Sequence, residues 1–399
     1  MQINDPRKLI IKDSYDVIVV GGGIAGVAAA VASARNGAKT LLIEKQINLG
    51  GLATVGLISW YEPLCDGNGK QVIGGISEEL IRLSGKYGLD DLPPNWGGES
   101  GNRSRYGRFA SHYSPTIFAL VLDEYVRTAG ADIRFDTMAT YPVVENGRIT
   151  GVIAESVSGR EYYPCRFVVD ATGDATVCAA AGLPTEDGLN YLVYVAHGHD
   201  KESVAKYMED GNDAAFRKWI WCGASLNGTG HPADKPFYTE YNADKENEFI
   251  RWGKEAMLEK LKQSPKNERD LTKLPTMAQY RKIRRLVGET TFTGEEVTCS
   301  DSIGTCGDFR HPGPVFELPY SCLYNKQLPN LLAAGRIVSA AGEGWEITRV
   351  IPVCALTGQA AGTAAALCHA NGVLLDNIDL PRLQKTLQEQ GVLFCEAHK

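Results

Sequence analysis

The sequence contains cysteines but lacks the closely spaced cysteine pairs that mark metal and disulfide sites. Its ten cysteines are scattered along 399 residues, and no CxxC or CxxxxC pair occurs. Structural zinc sites and iron–sulfur clusters need clustered cysteine or histidine ligands, so this spacing excludes both. The sequence therefore predicts no metal site, and it predicts free thiols in a reducing compartment, the cytoplasm.

Long apolar runs and an excess of basic residues are also missing. No stretch approaches the roughly 20 unbroken apolar residues of a membrane-spanning helix. The first twenty residues carry acidic side chains and a proline ahead of the first apolar run, which is unlike a signal peptide. The 41 Lys and Arg against 48 Asp and Glu give a net charge of −7, which disfavours nucleic acid and anionic membranes. We therefore expect no nucleic-acid partner and no membrane insertion.

Short apolar strands and an alanine-rich helix are present near the start of the chain. Residues 15–20 predict a buried strand, residues 24–36 a helix that Gly37 ends, and residues 40–43 a second strand. A strand, a helix and a strand within about 30 residues form one βαβ unit, whose handedness makes the two strands adjacent and parallel. This segment predicts an α/β fold.

Similar segments return later in the chain. The Asn146-Gly147 pair marks a tight hairpin turn within an alternating stretch. The predicted elements are a helix over residues 114–129, a β-meander over residues 133–169, a strand over residues 331–334 and a helix over residues 353–370.

A glycine-rich turn joins the first strand to the first helix. Gly21, Gly23 and Gly26 fit G-x-G-x-x-G, and Glu44 follows 18 residues after Gly26, at the end of the second strand. In this motif the first glycine permits a tight turn, the second lets the backbone approach a diphosphate, and the third lets the helix pack on the sheet. The free N–H groups of the helix N-terminus attract phosphates, and the acidic residue accepts hydrogen bonds from ribose hydroxyls. The pattern predicts a dinucleotide site and leaves NAD and FAD open.

Further segments decide between these cofactors through a resemblance to a known family. They are residues 16–45 with the glycine motif, residues 50–56 (GGLATVG), residues 167–182 (FVVDATGDATVCAAAG), and residues 328–340 with 349–367. In this order they resemble the FAD-dependent oxidoreductases of the p-hydroxybenzoate-hydroxylase-like class. Within that class the chain is similar to a bacterial FAD-dependent oxidoreductase family, related through its nucleotide domain to fumarate-reductase-type flavoproteins. The resemblance implies FAD as the cofactor.

The same resemblance implies a Rossmann-like FAD-binding domain, with a parallel central sheet and a β-meander, and an inserted α+β substrate domain. Alanine- and glycine-rich segments surround two blocks that are richer in tryptophan and polar residues. We therefore assign residues 12–60, 106–188 and 325–399 to the FAD-binding domain, and residues 61–105 and 189–324 to the substrate or cap domain.

The residues expected to hold FAD lie in the matching segments. Arg336 is expected near the pyrophosphate or ribityl chain, and the N–H groups of Val350 and Ile351 are expected to stabilise negative charge on the reduced flavin. The full set is Gly21, Gly23, Ile24, Ala25, Gly26, Glu44, Lys45, Gly50, Gly51, Ala53, Thr54, Ala139, Ala171, Gly173, Asp174, Gly335, Arg336, Val350 and Ile351.

Four residues are candidates for catalysis, and three of them have a structural alternative. His311, in a proline-rich loop, is a candidate general acid or base, or a surface histidine. Arg349 precedes the flavin helix and either binds an anionic substrate or braces the loop. Arg285, in the basic run 281–285, contacts substrate or lies at the domain junction, or it belongs to a solvated helix face. His112 precedes a helix expected to start near the flavin.

These features predict hydride transfer between flavin N5 and a small-molecule substrate, with an electron donor or acceptor as partner. The chain carries one G-x-G-x-x-G motif in full context, so a nicotinamide would dock only transiently. The alternatives are a flavin monooxygenase that uses NAD(P)H and oxygen, a non-catalytic FAD-binding protein, and an NAD-dependent dehydrogenase. The sequence leaves the substrate, the direction of the reaction and homo-oligomerisation open.

Overall fold

The computed structural model describes residues 8–88, 92–96, 108–211, 213–295 and 297–395. The predicted domain boundary between residues 105 and 106 lies outside them. The helices are α1 (Ile24–Arg35), α2 (Ile76–Gly85), α3 (Pro115–Thr128), α4 (Thr176–Ala180), α5 (Lys201–Asp210), α6 (Ala243–Lys262), α7 (Gly342–Thr348), α8 (Ile351–Asn371) and α9 (Leu380–Glu389).

The strands follow the same chain order. They are β1 (Ile10–Ile11), β2 (Tyr15–Val20), β3 (Thr40–Ile43), β4 (Trp60–Tyr61), β5 (Ser111–His112), β6 (Asp132–Arg134), β7 (Met138–Glu145), β8 (Arg148–Ser156), β9 (Gly159–Asp170), β10 (Thr185–Asp187), β11 (Val193–Asp200), β12 (Lys218–Gly223), β13 (Arg269–Lys273), β14 (Arg284–Leu286), β15 (Ser302–Gly307), β16 (Val315–Pro319) and β17 (Leu331–Ala333).

The central sheet joins a parallel part to an antiparallel part through β9. Strands β6, β3, β2, β9 and β17 run parallel, in that order. The earlier half of β9 pairs antiparallel with β8, and β8 pairs with β7. Because β9 has 12 residues, it is long enough to serve both parts. The predicted α/β fold, with a parallel sheet and a β-meander, is confirmed.

Helices α1 and α8 pack against each other with closely spaced backbones. A Cβ added at Gly358 would lie 2.2 Å from the carbonyl oxygen of Ala25, and one at Gly362 would lie 2.1 Å from that of Ala29. This approach requires small residues along both helices, which explains their alanine- and glycine-rich composition. Helix α8 is long and apolar enough to cross a membrane, and 94% of its apolar window is buried inside the molecule.

The predicted end of the first helix and the predicted hairpin turn agree with the structure to within one residue. The first helix ends at Arg35, one residue before the predicted end, and Gly37 follows with a positive φ of 87°. The hairpin between β7 and β8 turns at Asn146 and Gly147, whose φ angles are 51° and 71°. Two successive residues with positive φ are what a type I′ turn requires.

A second, smaller sheet follows the nucleotide-binding segments. Strand β11 lies between β12 and β13, antiparallel to both, and α6 packs beside it. The basic run at 281–285 is not a solvated helix, because its end forms β14, which pairs with β10, and Arg285 is buried.

The hydrophobic clusters do not follow the predicted domain division closely. Leu80, Ile303 and Leu318, from segments assigned to the substrate domain, lie in the same buried cluster as α1 and α8. Residues 192–283 contribute the buried members of two smaller clusters. The domain boundaries therefore stay a prediction.

Candidate functional site

A cavity of about 300 Å³ opens at the carboxyl ends of the parallel strands. Gly21 follows β2, Glu44 follows β3, Ala171 follows β9 and Ala334 follows β17, and all four line the cavity. Ligands of parallel α/β sheets bind at this edge, and the volume is typical of a small-molecule site. Further lining residues come from α6 and from residues 276–283.

Most of the residues predicted to hold FAD meet in this cavity, although they come from distant parts of the chain. Gly26, Thr54 and Val350 do not line it. The predicted residues in its wall are Gly21, Gly23, Ile24, Ala25, Glu44, Lys45, Gly50, Gly51, Ala53, Ala139, Ala171, Gly173, Asp174, Gly335, Arg336 and Ile351.

The three motif glycines have different surroundings. Gly21 has a φ of +98°, and a Cβ there would lie 2.5 Å from the carbonyl oxygen of Ala171. A Cβ on Gly26 would lie 1.8 Å from the carbonyl oxygen of Gly21, so this glycine permits close packing of helix on strand. A Cβ on Gly23, the N-cap of α1, would meet no heavy atom of the described chain within 4 Å. Gly23 therefore faces the open cavity.

A second pair of glycines lies directly beside this turn. The N–H of Gly50 donates to the carbonyl oxygen of Gly22 at 2.7 Å, and a Cβ on Gly51 would lie 3.2 Å from the Cα of Gly23. Both Gly50 and Gly51 have positive φ, at 101° and 54°. Thr54 supports this loop from outside the cavity, since its hydroxyl donates to the carbonyl oxygen of Leu49 at 2.5 Å.

Glu44 is a buried carboxylate at the end of β3. Its Oε2 accepts a hydrogen bond from the N–H of Gly22 at 2.5 Å, and its Oε1 accepts one from the N–H of Gln46 at 2.7 Å. Burial raises the pKa of Glu44, and these two backbone N–H groups act in the opposite direction. The contacts orient the side chain under the glycine turn, at the edge of the cavity.

Arg336 is a buried cation in the cavity wall. Its Nε donates to the carbonyl oxygen of Gly173 at 2.6 Å and its Nη1 to that of Tyr280 at 2.7 Å. Burial lowers the pKa of Arg336, and the charge of Asp174 partly opposes that shift. Both of these hydrogen bonds go to neutral carbonyls, so they leave the guanidinium charge available to an anionic ligand group.

The N-terminus of α8 reaches the cavity at Ile351. The N–H of Ile351 donates to Oε2 of Glu62 at 3.1 Å, so this N–H is already bonded within the chain. Glu62 is buried and follows β4, 289 residues away in sequence. The sequence analysis missed Glu62, and no local pattern marks it.

Arg349 is the catalytic candidate that the structure brings into the cavity. Its Nε donates to Oε2 of Glu346 at 2.7 Å, and its guanidinium lies over the ring of Phe309, 6.0 Å from the centroid. Lys282 contacts Oε1 of the same carboxylate at 2.8 Å. The pairing of Glu346 with Lys282 was not predicted.

The other three catalytic candidates lie outside the cavity wall. His311 is exposed in the loop between β15 and β16. His112 is exposed in β5, with its ring 6.0 Å from that of Trp219. Arg285 is buried between β10 and β14, where it pairs with Glu186 and bonds Ser339. Their proposed roles in catalysis stay predictions.

The cavity also has a wall that the sequence analysis did not assign to the site. Tyr241 donates to Oδ2 of Asp174 at 3.2 Å and to Oε2 of Glu246 at 3.3 Å. The richness of the 189–324 block in aromatic residues is the only sequence signal for this wall. The wall residues from that block are Tyr241, Glu246, Ile250, Thr276, Met277, Ala278, Tyr280 and Ile283.

Curated relatives match part of the chain. A digeranylgeranylglycerophospholipid reductase of Methanoculleus marisnigri is 26% identical over 233 residues, which are 55% of this chain and 55% of that protein. A digeranylgeranylglycerophospholipid reductase 2 of Methanococcoides burtonii is 28% identical over 252 residues, 57% of this chain and 58% of that protein. The chain thus spans little more than half the length of these relatives.

Solved structures resemble the chain over most of its length. A geranylgeranyl bacteriochlorophyll reductase-like protein from Thermoplasma acidophilum has a TM-score of 0.46 and 15% identity, with 95% of this chain and 83% of that chain covered. An aromatic hydroxylase from angucycline biosynthesis has a TM-score of 0.48 and 14% identity, with 94% and 65% covered.

A family model for FAD dependent oxidoreductases matches residues 16–192 and 223–387, which is most of the chain. The matched segments include the glycine turn after β2, the carboxyl end of β9, and the strand and helices that contribute Gly335, Arg336 and Ile351 to the cavity. The chain therefore belongs to the FAD dependent oxidoreductase family, and FAD is its cofactor.

Proposed function

We propose that this chain passes a hydride between FAD held in the cavity and a small organic substrate bound beside the flavin. The observation that carries the proposal is the meeting, in one cavity, of the Gly23 turn, Glu44, Arg336 and the start of α8. These groups match the chemistry of FAD from end to end: ribose, diphosphate and flavin.

The diphosphate fits the space in front of α1. Gly23 leaves that space open, and the first N–H groups of α1 point their positive dipole end toward it. Arg336 adds a cation that is bonded to carbonyl oxygens. A diphosphate would be held by both, because buried positive groups gain most from an anionic partner.

The adenosine ribose fits beside Glu44. The two carboxylate oxygens of Glu44 each accept one backbone hydrogen bond and keep lone pairs for ribose hydroxyls. Its negative charge would repel a 2′-phosphate, which favours FAD or NAD over NADP.

Bound FAD would supply the hydride chemistry at the end of the cavity near Ile351. There the chain would position the substrate, and Met277 and Tyr280, which also line the cavity, would help to exclude water. Arg349 would stabilise negative charge that develops there, because the N–H of Ile351 is already bonded to Glu62.

The remaining assignments belong to the same proposal. The substrate is a small molecule, the second partner is an electron donor or acceptor, and the protein acts in the cytoplasm. The curated relatives are named reductases, which favours reduction as the direction.

The purified protein tests the proposal through its absorption spectrum. We expect a yellow protein whose flavin is released on denaturation and identified as FAD by chromatography. We then expect anaerobic bleaching of the flavin by a reductant and its return on addition of the substrate. Colourless protein that takes up no FAD would contradict the proposal, and bound NAD would support a nicotinamide-dependent dehydrogenase instead.

The same experiment in the presence of oxygen distinguishes a flavin monooxygenase from the proposed oxidoreductase. A monooxygenase would consume oxygen only with NAD(P)H and an aromatic substrate together. A non-catalytic flavoprotein would hold FAD but would leave the flavin unchanged with every substrate. Substrate turnover without oxygen uptake would support the proposed reaction.

A further inference from the structure

Two cations contact one carboxylate beside the cavity, and a third cation lies near them. Arg349 and Lys282 both contact Glu346, and the side chains of these three residues are only 10%, 19% and 18% exposed. Arg281 is the third cation, and its guanidinium donates to the carbonyl oxygens of Ser225 and Ala224, at 2.7 and 3.1 Å. We call Arg281, Lys282 and Arg349 the cationic cluster.

The shifts in pKa agree with an excess of positive charge in this cluster. Burial and the neighbouring charge of Arg349 lower the pKa of Arg281 to about 10. Burial acts to raise the pKa of Glu346, but the charges of Arg349 and Lys282 outweigh it, so that pKa is lowered. One carboxylate therefore balances only part of the cluster's charge, in a region where water screens charges weakly.

Arg349 has hydrogen-bonding capacity left for a ligand. Its Nε and its Nη2 approach the same oxygen of Glu346, at 2.7 and 2.5 Å. Nη2 is buried, and its contact with that oxygen lacks the direction of a hydrogen bond, so the ion pair does not use the N–H groups of Nη2 fully. A ligand oxygen in line with one of these N–H groups would complete its hydrogen bonding.

The position of Arg349 determines which ligand would reach it. Arg349 lines the cavity two residues before Ile351, at the end where the proposed function locates the flavin. A planar guanidinium presents two parallel donors, which match the two oxygens of a carboxylate.

We propose that the cationic cluster is an anion subsite in which Arg349 binds a carboxylate group of the substrate, with Lys282 and Arg281 supplying further positive charge. The inference rests on the proposed function, because it defines the substrate of that same site as a small organic carboxylate. Glu346 is the counter-ion of Arg349 within the chain. It holds the guanidinium in place through a single carboxylate oxygen, Oε2.

Titration of the FAD-loaded protein tests this subsite with two matched probes. Propionate carries the carboxylate, and propionamide has the same shape without the charge. We expect propionate to perturb the flavin spectrum and to bind in calorimetry, and propionamide to bind at least about tenfold more weakly.

Substitutions assign the binding to the cluster. Arg349→Gln should weaken propionate binding about tenfold or more, and Arg349→Lys should weaken it less, since it keeps the charge but loses the fork. Arg127→Gln is the matched control, because Arg127 forms an exposed i,i+4 pair with Asp123. It should bind propionate like the unaltered protein.

A second pair of variants covers the case in which Arg349→Gln fails to fold. Lys282→Gln should weaken propionate binding, whereas Glu346→Gln should strengthen it, because it removes the competing carboxylate. A purely structural role for these residues predicts no such opposite signs. Equal binding of the two probes, tighter binding of inorganic phosphate than of propionate, or unchanged affinity in Arg349→Gln would overturn the subsite.

The two proposals fail in different ways. Loss of the proposed function would appear as protein that takes up no FAD. Calorimetry does not depend on flavin absorbance, so propionate affinity is measured in either case. FAD-loaded protein that turns over a neutral substrate and ignores propionate would leave the proposed function standing and reject the subsite.

Discussion

At the scale of single residues, the glycines of the motif are required for different physical reasons. Gly26 has the backbone of Gly21 against it, whereas Gly23 has open space in the direction a Cβ would take. The backbone of Gly23, with φ −64° and ψ 178°, is one that alanine adopts without strain. Gly26 is therefore needed for packing and Gly23 for the ligand.

This difference gives a paired prediction. Gly23→Ala should fold with unchanged stability and should bind FAD about tenfold more weakly, because the methyl group enters the space in front of α1. Gly26→Ala should lower the free energy of unfolding of the FAD-free protein by about 2 kcal/mol or more, because its methyl group overlaps the carbonyl oxygen of Gly21. Urea unfolding and FAD titration measure the two effects, and equal effects of the two substitutions on stability would contradict the assignment.

At the scale of elements, β11 is tied to the loop before β4 by a buried histidine. Nε2 of His197 lies 2.9 Å from the carbonyl oxygen of Leu57 and 3.4 Å from Oγ of Ser59. Burial lowers the pKa of His197 from 6.5 to about 4, and the charges of Lys273 and Arg217 act in the same direction. The ring is therefore neutral in the folded protein at neutral pH.

The pKa of His197 predicts how stability changes with pH. Below pH 6.5 the unfolded chain binds a proton at this residue, while the folded chain does not until the pH approaches 4. The contribution of the neutral His197 ring to the free energy of unfolding is fully present above pH 6.5. It is lost as the pH falls to 4, by about 3 kcal/mol in total. His197→Gln should remove this part of the dependence of the free energy of unfolding on pH.

Urea unfolding at a series of pH values measures the difference between the two proteins. Other groups, such as the buried Glu44 with its raised pKa, titrate in both proteins and cancel in the comparison. Parallel curves for the two proteins between pH 6.5 and 4 would show that the stability of the fold does not depend on His197.

At the scale of the whole molecule, the cavity wall joins segments that are far apart along the chain. It contains residues from the turn after β2, from the end of β9, from α6 and from the start of α8. A ligand that contacts all of these segments binds the folded chain and not the unfolded one. FAD should therefore stabilise the entire fold.

Removal of FAD should lower the stability by an amount set by its concentration. At a hundredfold excess over its Kd, a ligand adds about 2.7 kcal/mol. We expect a lower melting temperature without FAD, and faster proteolysis within residues 243–283, which contribute part of the cavity wall. AMP is a suitable control, since it fills only the Glu44 end and should protect less. Identical melting and cleavage with and without FAD would contradict this prediction.

The sequence by itself determined the βαβ unit, the glycine turn, Glu44 and the hairpin at Asn146 and Gly147. These features depend on local properties: the period of apolar residues, the φ angles open to glycine and asparagine, and the short distance along the chain from motif to acidic residue. Local properties can be read from a sequence because neighbouring residues alone decide them.

Only the tertiary structure decided which side chains meet across the cavity. It brought Glu62 to the N–H of Ile351 and Lys282 to the carboxylate of Glu346, and it left His311 exposed. Such contacts depend on how α7 and α8 pack against strands and loops dozens to hundreds of residues away, and no local pattern encodes that packing. The physical reason is that short-range conformation sets the backbone of each element, whereas long-range burial sets its partners.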